Sequence, residues 1–254
     1  MAQAADGLRS RASIEERRQN YCPARACQVK RSATQGRCLN PETDKALFQH
    51  LERFAAPNVF NPWSEADPLD RTEDAGRRRL GRLKQHLTCR AAFLLVGEAA
   101  GYQGCRFSGV AFTSERLLLE DRIPRVRSSE RITHRVRPWS EPSATVVWGR
   151  LHELRIADCT VLWNAFPWHP YRPGAPHSNR RPSTIEVRQG AQILQSVLDR
   201  FVDATVIAVG QVARQALQNV VGGNPHVVRH PAMAGAREFR LNLAAIVRSR
   251  DGRR

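Results

Sequence analysis

Three stretches of this chain place chemically capable residues just past short apolar runs. The first is Phe93-Leu-Leu-Val-Gly-Glu-Ala-Ala-Gly, continuing through Tyr102 to Glu115. Its loop carries Gly97, Gly101, Gly104 and Gly109, with Glu98 one residue past the strand end and Phe112 where the loop closes. Glycine permits close backbone approach, so such a loop can aim N–H groups at a ligand. The second stretch is Leu162-Trp-Asn164-Ala-Phe-Pro-Trp-His-Pro170, and the third is Arg229-His230-Pro-Ala-Met-Ala-Gly235. Ligands of open parallel sheets gather at the carboxyl ends of the strands. Together the three ends describe a pocket for a small molecule or a nucleobase.

The elements that must hold these residues can be read from periodicity. Apolar runs at Ala92–Val96, Thr160–Trp163, Thr205–Val209 and His226–Val228 read as buried strands. Helical spacing appears over 43–54, 73–87, 114–121, 143–155, 184–201, 211–220 and 236–248. Alternation of strand and helix predicts an α/β fold, a three-layer α/β/α sandwich on a four-stranded parallel sheet. Residues 55–72, broken by Pro57, Pro62 and Pro68, read as loop, and 122–142 as a basic, proline-punctuated insertion. Residues 1–40 are polar and arginine-rich and read as a disordered arm, leaving 41–250 as one domain.

The 254 residues carry a net charge of +16, and only Lys30, Lys45 and Lys84 of the 40 basic residues are lysine. Arginine pairs with phosphate in a bidentate fork, so the balance favours a polyanionic partner. A coding bias toward arginine would give the same composition, so charge alone does not decide. No apolar run approaches a membrane span and no signal-peptide core is evident. The expected address is cytoplasmic, or nucleoid-associated in a bacterium. Six scattered cysteines do not make a disulfide scaffold. Cys22, Cys27 and Cys38 lack an evident fourth zinc ligand.

In order and spacing, the motifs from about residue 90 to 248 resemble those of the uracil-DNA glycosylase superfamily. Gly97-Glu98-Ala99-Ala100-Gly101 is similar to the Gly-Glu-x-Pro-Gly motif of the thermostable, family 4 branch. Ser108-Gly-Val-Ala-Phe-Thr-Ser is similar to its Thr-Gly-x-Pro-Phe segment. Asn164 takes the place of the Leu-x-Asn asparagine, and His230-Pro231-Ala232 that of the His-Pro-Ser/Ala motif. Ile207-Ala-Val-Gly210-Gln-Val-Ala is similar to the Gly-x-x-Ala turn.

The resemblance implies a monofunctional glycosylase that hydrolyses the N-glycosidic bond of uracil in single- or double-stranded DNA. It would act as a monomer without a cofactor. A flipped base would stack on Phe112, and Asn164 would read its Watson–Crick edge. His230 would stabilise charge on the departing base, with Glu98 and the backbone at Ala99 assisting. Met233 and Arg237 would enter the duplex, while Arg180, Arg181 and the insertion 122–137 would hold phosphates. Each residue has a plainer reading alone: a turn for Asn164 and His230, core for Phe112, a solvated face for the arginines.

Ala99, Ala100 and Ala111 depart from the family pattern. Ala99 offers no carboxylate for water, and the two lost prolines leave the loop less fixed. Positions that exclude thymine in the family 1 branch fall near small Gly101 and Gly104, with Tyr102 beside them. No cysteine follows Cys159, so the thermostable branch's iron–sulfur cluster is not expected and no metal is assigned. A catalytically weak DNA-binding module on the same fold is the alternative. An unrelated nucleotide-binding protein would want Gly-x-Gly-x-x-Gly, which this loop lacks.

Overall fold

The Phe93-Leu-Leu-Val run is apolar at every position, as a strand covered on both faces must be. In the computed structural model, which describes residues 41–128 and 130–251, it opens strand β2 (Phe93–Ala99). The other members of the main sheet are β3 (Thr160–Phe166), β5 (Thr205–Val209) and β6 (His226–Val228). Their order is β3-β2-β5-β6, and every neighbour is parallel. The expected N-terminal arm, with Cys22, Cys27 and Cys38, lies outside the described residues.

Alternation along β2 sends side chains to two separate cores. Leu94 and Val96 pack with Trp163, Ile193, Leu194 and Leu217. They face α6 (Thr184–Arg200) and α7 (Gln211–Val221), with α1 (Pro41–Arg53) and α2 (Ala75–His86) in the same layer. Phe93 and Leu95 pack with Leu117, Val147, Trp148 and Phe239. These come from α4 (Glu115–Leu119), α5 (Pro142–Glu153) and α8 (Ala236–Asp251). The result is the three-layer sandwich. Helix α6 starts sharply because Ser183 and Glu186 form a reciprocal capping box.

The loop expected over 55–72 contains strand β1 (Val59–Phe60), which pairs antiparallel with β4 (His169–Pro170). Two residues on each side are too short for a periodicity signal. What secures them is polar and long-range. Arg106, on α3 (Cys105–Ser108), bonds Asp67 from both Nε (3.0 Å) and Nη2 (2.6 Å). Its Nη1 donates to His169 Nδ1 at 2.9 Å, and its guanidinium lies 3.7 Å from the Phe60 ring centre. Burial, and next the Arg106 charge, push His169 down to about 3, so its ring is neutral. This buried network fastens the glycine loop's helix to the loops around it.

The insertion is likewise anchored rather than wholly solvated. Glu115 is 1 % exposed and accepts from Ile132 N, Thr133 N, Thr133 Oγ1 and Trp139 N. Among the described residues, no helix is long and apolar enough to cross a membrane.

Candidate functional site

Strand register brings the first two motifs together. Gly97 on β2 lies directly beside Asn164 on β3. A Cβ on Gly97 would stand 2.5 Å from the Phe112 ring and 2.7 Å from Asn164 Oδ1, so only glycine fits. Phe112 is 6 % exposed and adopts φ 48°, a left-handed conformation costly for an aromatic residue. The fold holds that strain while pressing the ring against the strand end.

Asn164 is 4 % exposed, yet among the described residues its side chain has no hydrogen-bond partner. Asn61, 1 % exposed, is the useful contrast. Its Nδ2 donates to Leu51 O, Glu52 O and Phe54 O, and its Oδ1 accepts from Trp63 N. Asn61 is a structural staple. Asn164 makes none of these bonds, and its amide atoms still reach solvent, so they stand open at the strand end. An amide left open in this way is free to pair with a ligand or a water.

His230 follows β6 by two residues, and its ring centre lies 5.9 Å from that of Phe112. The Ala232 N–H donates to its Nδ1 at 3.1 Å. An acceptor nitrogen carries no proton, so the proton of the neutral ring sits on Nε2. Burial pushes the imidazole below its ordinary value and favours that neutral form. His230 is therefore set to donate from Nε2. A groove of about 480 Å³ opens beside it, lined by Gly210, Val228, Arg229, Ala232, Met233 and Asn242 among others.

The remaining candidates are placed less uniformly. Alternation along β2 aims Glu98 to the face opposite Gly97 and Phe112. Burial raises its carboxyl above the ordinary range, and the Arg181 charge acts against that shift. Ala99 pairs with Phe166 at the strand end and is half-buried. Met233 is 90 % exposed on a left-handed turn, and Arg237 is exposed at the start of α8.

The neighbouring arginines 180 and 181 divide. Arg180 is committed inside the fold: both terminal nitrogens pair with Glu186, and Nε donates to Tyr171 O. A side chain so engaged is a poor phosphate clamp, and the expectation for it shifts to exposed Arg181.

One acidic residue near the site was missed from sequence. Glu141 precedes Pro142 at the start of α5 and reaches under the glycine loop. A Cβ on Gly104 would lie 1.9 Å from its Oε2 and 3.2 Å from Thr113 O. Ser143 Oγ donates to Oε1, while Oε2 is buried without a partner. Burial raises the carboxyl to about 7 from 4.5. The only sequence signal is a Glu-Pro helix start, which resembles many others.

Folding favours protonated Glu141, so its support is complete below 4.5, is lost as pH rises through about 7, and stays lost above. Glu141→Gln should remove that loss. Denaturant melts at pH 5 and pH 8 should show the variant gaining roughly 2–3 kcal/mol on wild type at the higher pH. An equal difference at both would place the ionisation elsewhere.

Among the described residues, no three His, Cys, Asp or Glu side chains are grouped to hold a metal ion. The cysteines do not fit an iron–sulfur cluster, because the pair required after β3 is absent from the sequence.

No protein-family model and no curated protein matches the sequence. Among solved structures, the chain is similar to wild-type SMUG2 of Pedobacter heparinus, with a TM-score of 0.53 and 13 % identity. The match covers 83 % of this chain and 97 % of that one. At that identity the likeness carries the fold and no further. A four-stranded parallel sheet, helices on both faces and this structural neighbour together give the chain a uracil-DNA glycosylase-like fold.

Proposed function

We propose that this protein is a monofunctional uracil-DNA glycosylase that hydrolyses the N-glycosidic bond of deoxyuridine and leaves an abasic site. The reading rests chiefly on Asn164, whose open amide has no protein partner among the described residues and stands beside an aromatic ring. In this reading the uracil is flipped onto Phe112. Asn164 Oδ1 accepts from uracil N3–H, and its Nδ2 donates to O4. Cytosine would present an amino group where the amide also presents hydrogens, leaving both donors unpaired.

As the C1′–N1 bond breaks, its electron pair moves onto the base, largely to O2. His230 Nε2–H would meet that charge as an oxyanion-hole donor. Water adds its oxygen to C1′ and releases a proton to solvent. No lysine lies in the motifs, which argues against a Schiff-base lyase step. Met233, Arg237 and Arg181 would contact DNA.

A catalytically weak DNA-binding module is the second reading. It is favoured by Ala99, which supplies no carboxylate, and by Glu98 turned to the other face of β2. The separating experiment measures base release from single- and double-stranded oligonucleotides bearing uracil, 5-hydroxymethyluracil, hypoxanthine or thymine. Uracil release is expected on at least one strand type. DNA binding with no release of any base at high enzyme would sink the glycosylase reading and leave the module.

A further inference from the structure

The 131–139 segment is built as a rigid arch, and its construction exceeds what closing a loop requires. At its base, buried Glu115 gathers Ile132, Thr133 and Trp139 through four hydrogen bonds. Arg71 N donates to Ile132 O at 2.8 Å, and His134 N donates to Leu69 O at 2.8 Å. Across the span, the Arg131 guanidinium bonds the carbonyls of Arg135 and Val136. The Arg135 guanidinium lies 3.7 Å from the Trp139 ring centre. Trp139 in turn stacks on Phe107 at 4.8 Å and meets Tyr102 of the glycine loop edge-on at 5.6 Å.

What the arch presents is Val136, 97 % exposed, between Arg135 and Arg137. A lone exposed valine is ordinary on a flexible loop. Here the backbone on both sides is fixed, and the β-branched side chain is itself stiff, so insertion would cost little entropy. No acidic residue lies between Arg131 and Ser140. The surface therefore pairs an apolar tip with unneutralised cations, which suits a charged backbone flanking apolar base faces and suits neither an acidic peptide nor a lipid bilayer as well.

We propose that the Arg131–Trp139 arch is a second DNA-docking element at the rim of the site. Val136 enters a groove against the bases, and Arg135 and Arg137 take the flanking phosphates. The inference rests on the DNA reading above and adds a contact separate from the Met233 turn. Through Trp139 and Tyr102 the arch touches the glycine loop directly, so DNA held there lies against the pocket.

The test measures binding rather than chemistry, using fluorescence anisotropy of labelled uracil-free duplex and single strand across a salt series. Variants are Val136→Asp, Arg137→Ser and Arg135→Ser/Arg137→Ser. Val136 and Arg137 make no side-chain hydrogen bonds among the described residues, so their variants leave the clamp intact. The double arginine variant should weaken binding at least tenfold near 0.1 M salt and flatten the log–log salt slope by about 2. Val136→Asp should weaken binding about tenfold. Affinities within twofold of wild type and an unchanged slope in all three variants would overturn the arch. So would a wild type that ignores uracil-free DNA. Base release is scored separately. Lost affinity in a protein that releases no base would keep the arch and discard the glycosylase reading.

Discussion

His230→Ala should lower single-turnover uracil release about 10²–10³-fold while leaving DNA affinity near that of wild type. That factor is the effect of removing one donor aimed at developing charge, roughly 3–4 kcal/mol at about 1.4 kcal/mol per decade. The geometry favours the high end because the donor is preset. The Ala232 N–H on Nδ1 fixes the tautomer before substrate arrives, so no reorganisation falls in the reaction step. Burial keeps the ring neutral, which leaves Nε2–H as donor and avoids opposing two N–H groups at Nδ1. Protonation at low pH would break the Nδ1 contact, so wild-type release should fall on the acid side. That fall should be missing from the residual activity of His230→Ala.

The fold should survive the substitution. His230 is partly exposed and its ring makes that one hydrogen bond, worth about 1 kcal/mol. Unchanged thermal midpoint with lost release would isolate the chemical role. Release within threefold of wild type would remove His230 from the reaction and return it to the plainer part of shaping the turn before Pro231.

The sequence carried the main sheet well because its strands are buried on both faces. Phe93–Val96 and Thr160–Trp163 have no polar face to confuse the reading, and their loops end at recognisable glycines. The placing of Asn164 at the end of β3 and of His230 just past β6 was legible for a related reason: a parallel sheet gathers the carboxyl ends of its strands on one side. What escaped was set by partners far away in sequence. The β1–β4 pair is two residues long and depends on Arg106, Asp67 and His169. Arg180 looked like a phosphate ligand only because Glu186 and Tyr171 O were not visible as its partners. The insertion read as basic loop because one carboxylate, Glu115, organises it from a helix ending before it starts. Side-chain direction was also hidden at Glu98, where a single step along β2 changes the face it serves.

Asn164→Asp should change which base is released, and Asn164→Ala should abolish most release without choosing another. In the alanine variant both contacts to the uracil edge vanish, and release should fall at least 10²-fold. Its stability should hold or rise, because the lost amide has no partner in the free protein. Asn61→Ala, which strands three backbone carbonyls and a Trp63 N–H, should instead destabilise by several kcal/mol. The aspartate variant keeps an acceptor for uracil N3–H but faces O4 with a second acceptor, so uracil release should fall. Cytosine now finds an acceptor for its N4 amino group. A proton shared between the carboxyl and cytosine N3 would complete the pair, so cytosine release should appear and grow as pH drops. The measurement is the ratio of uracil to cytosine release under single-turnover conditions at pH 5.5 and 8. A drop of about 10²-fold or more in that ratio, larger at pH 5.5, is expected. A ratio equal to wild type at both pH values would mean that the base is read elsewhere and that the open amide of Asn164 meets only water.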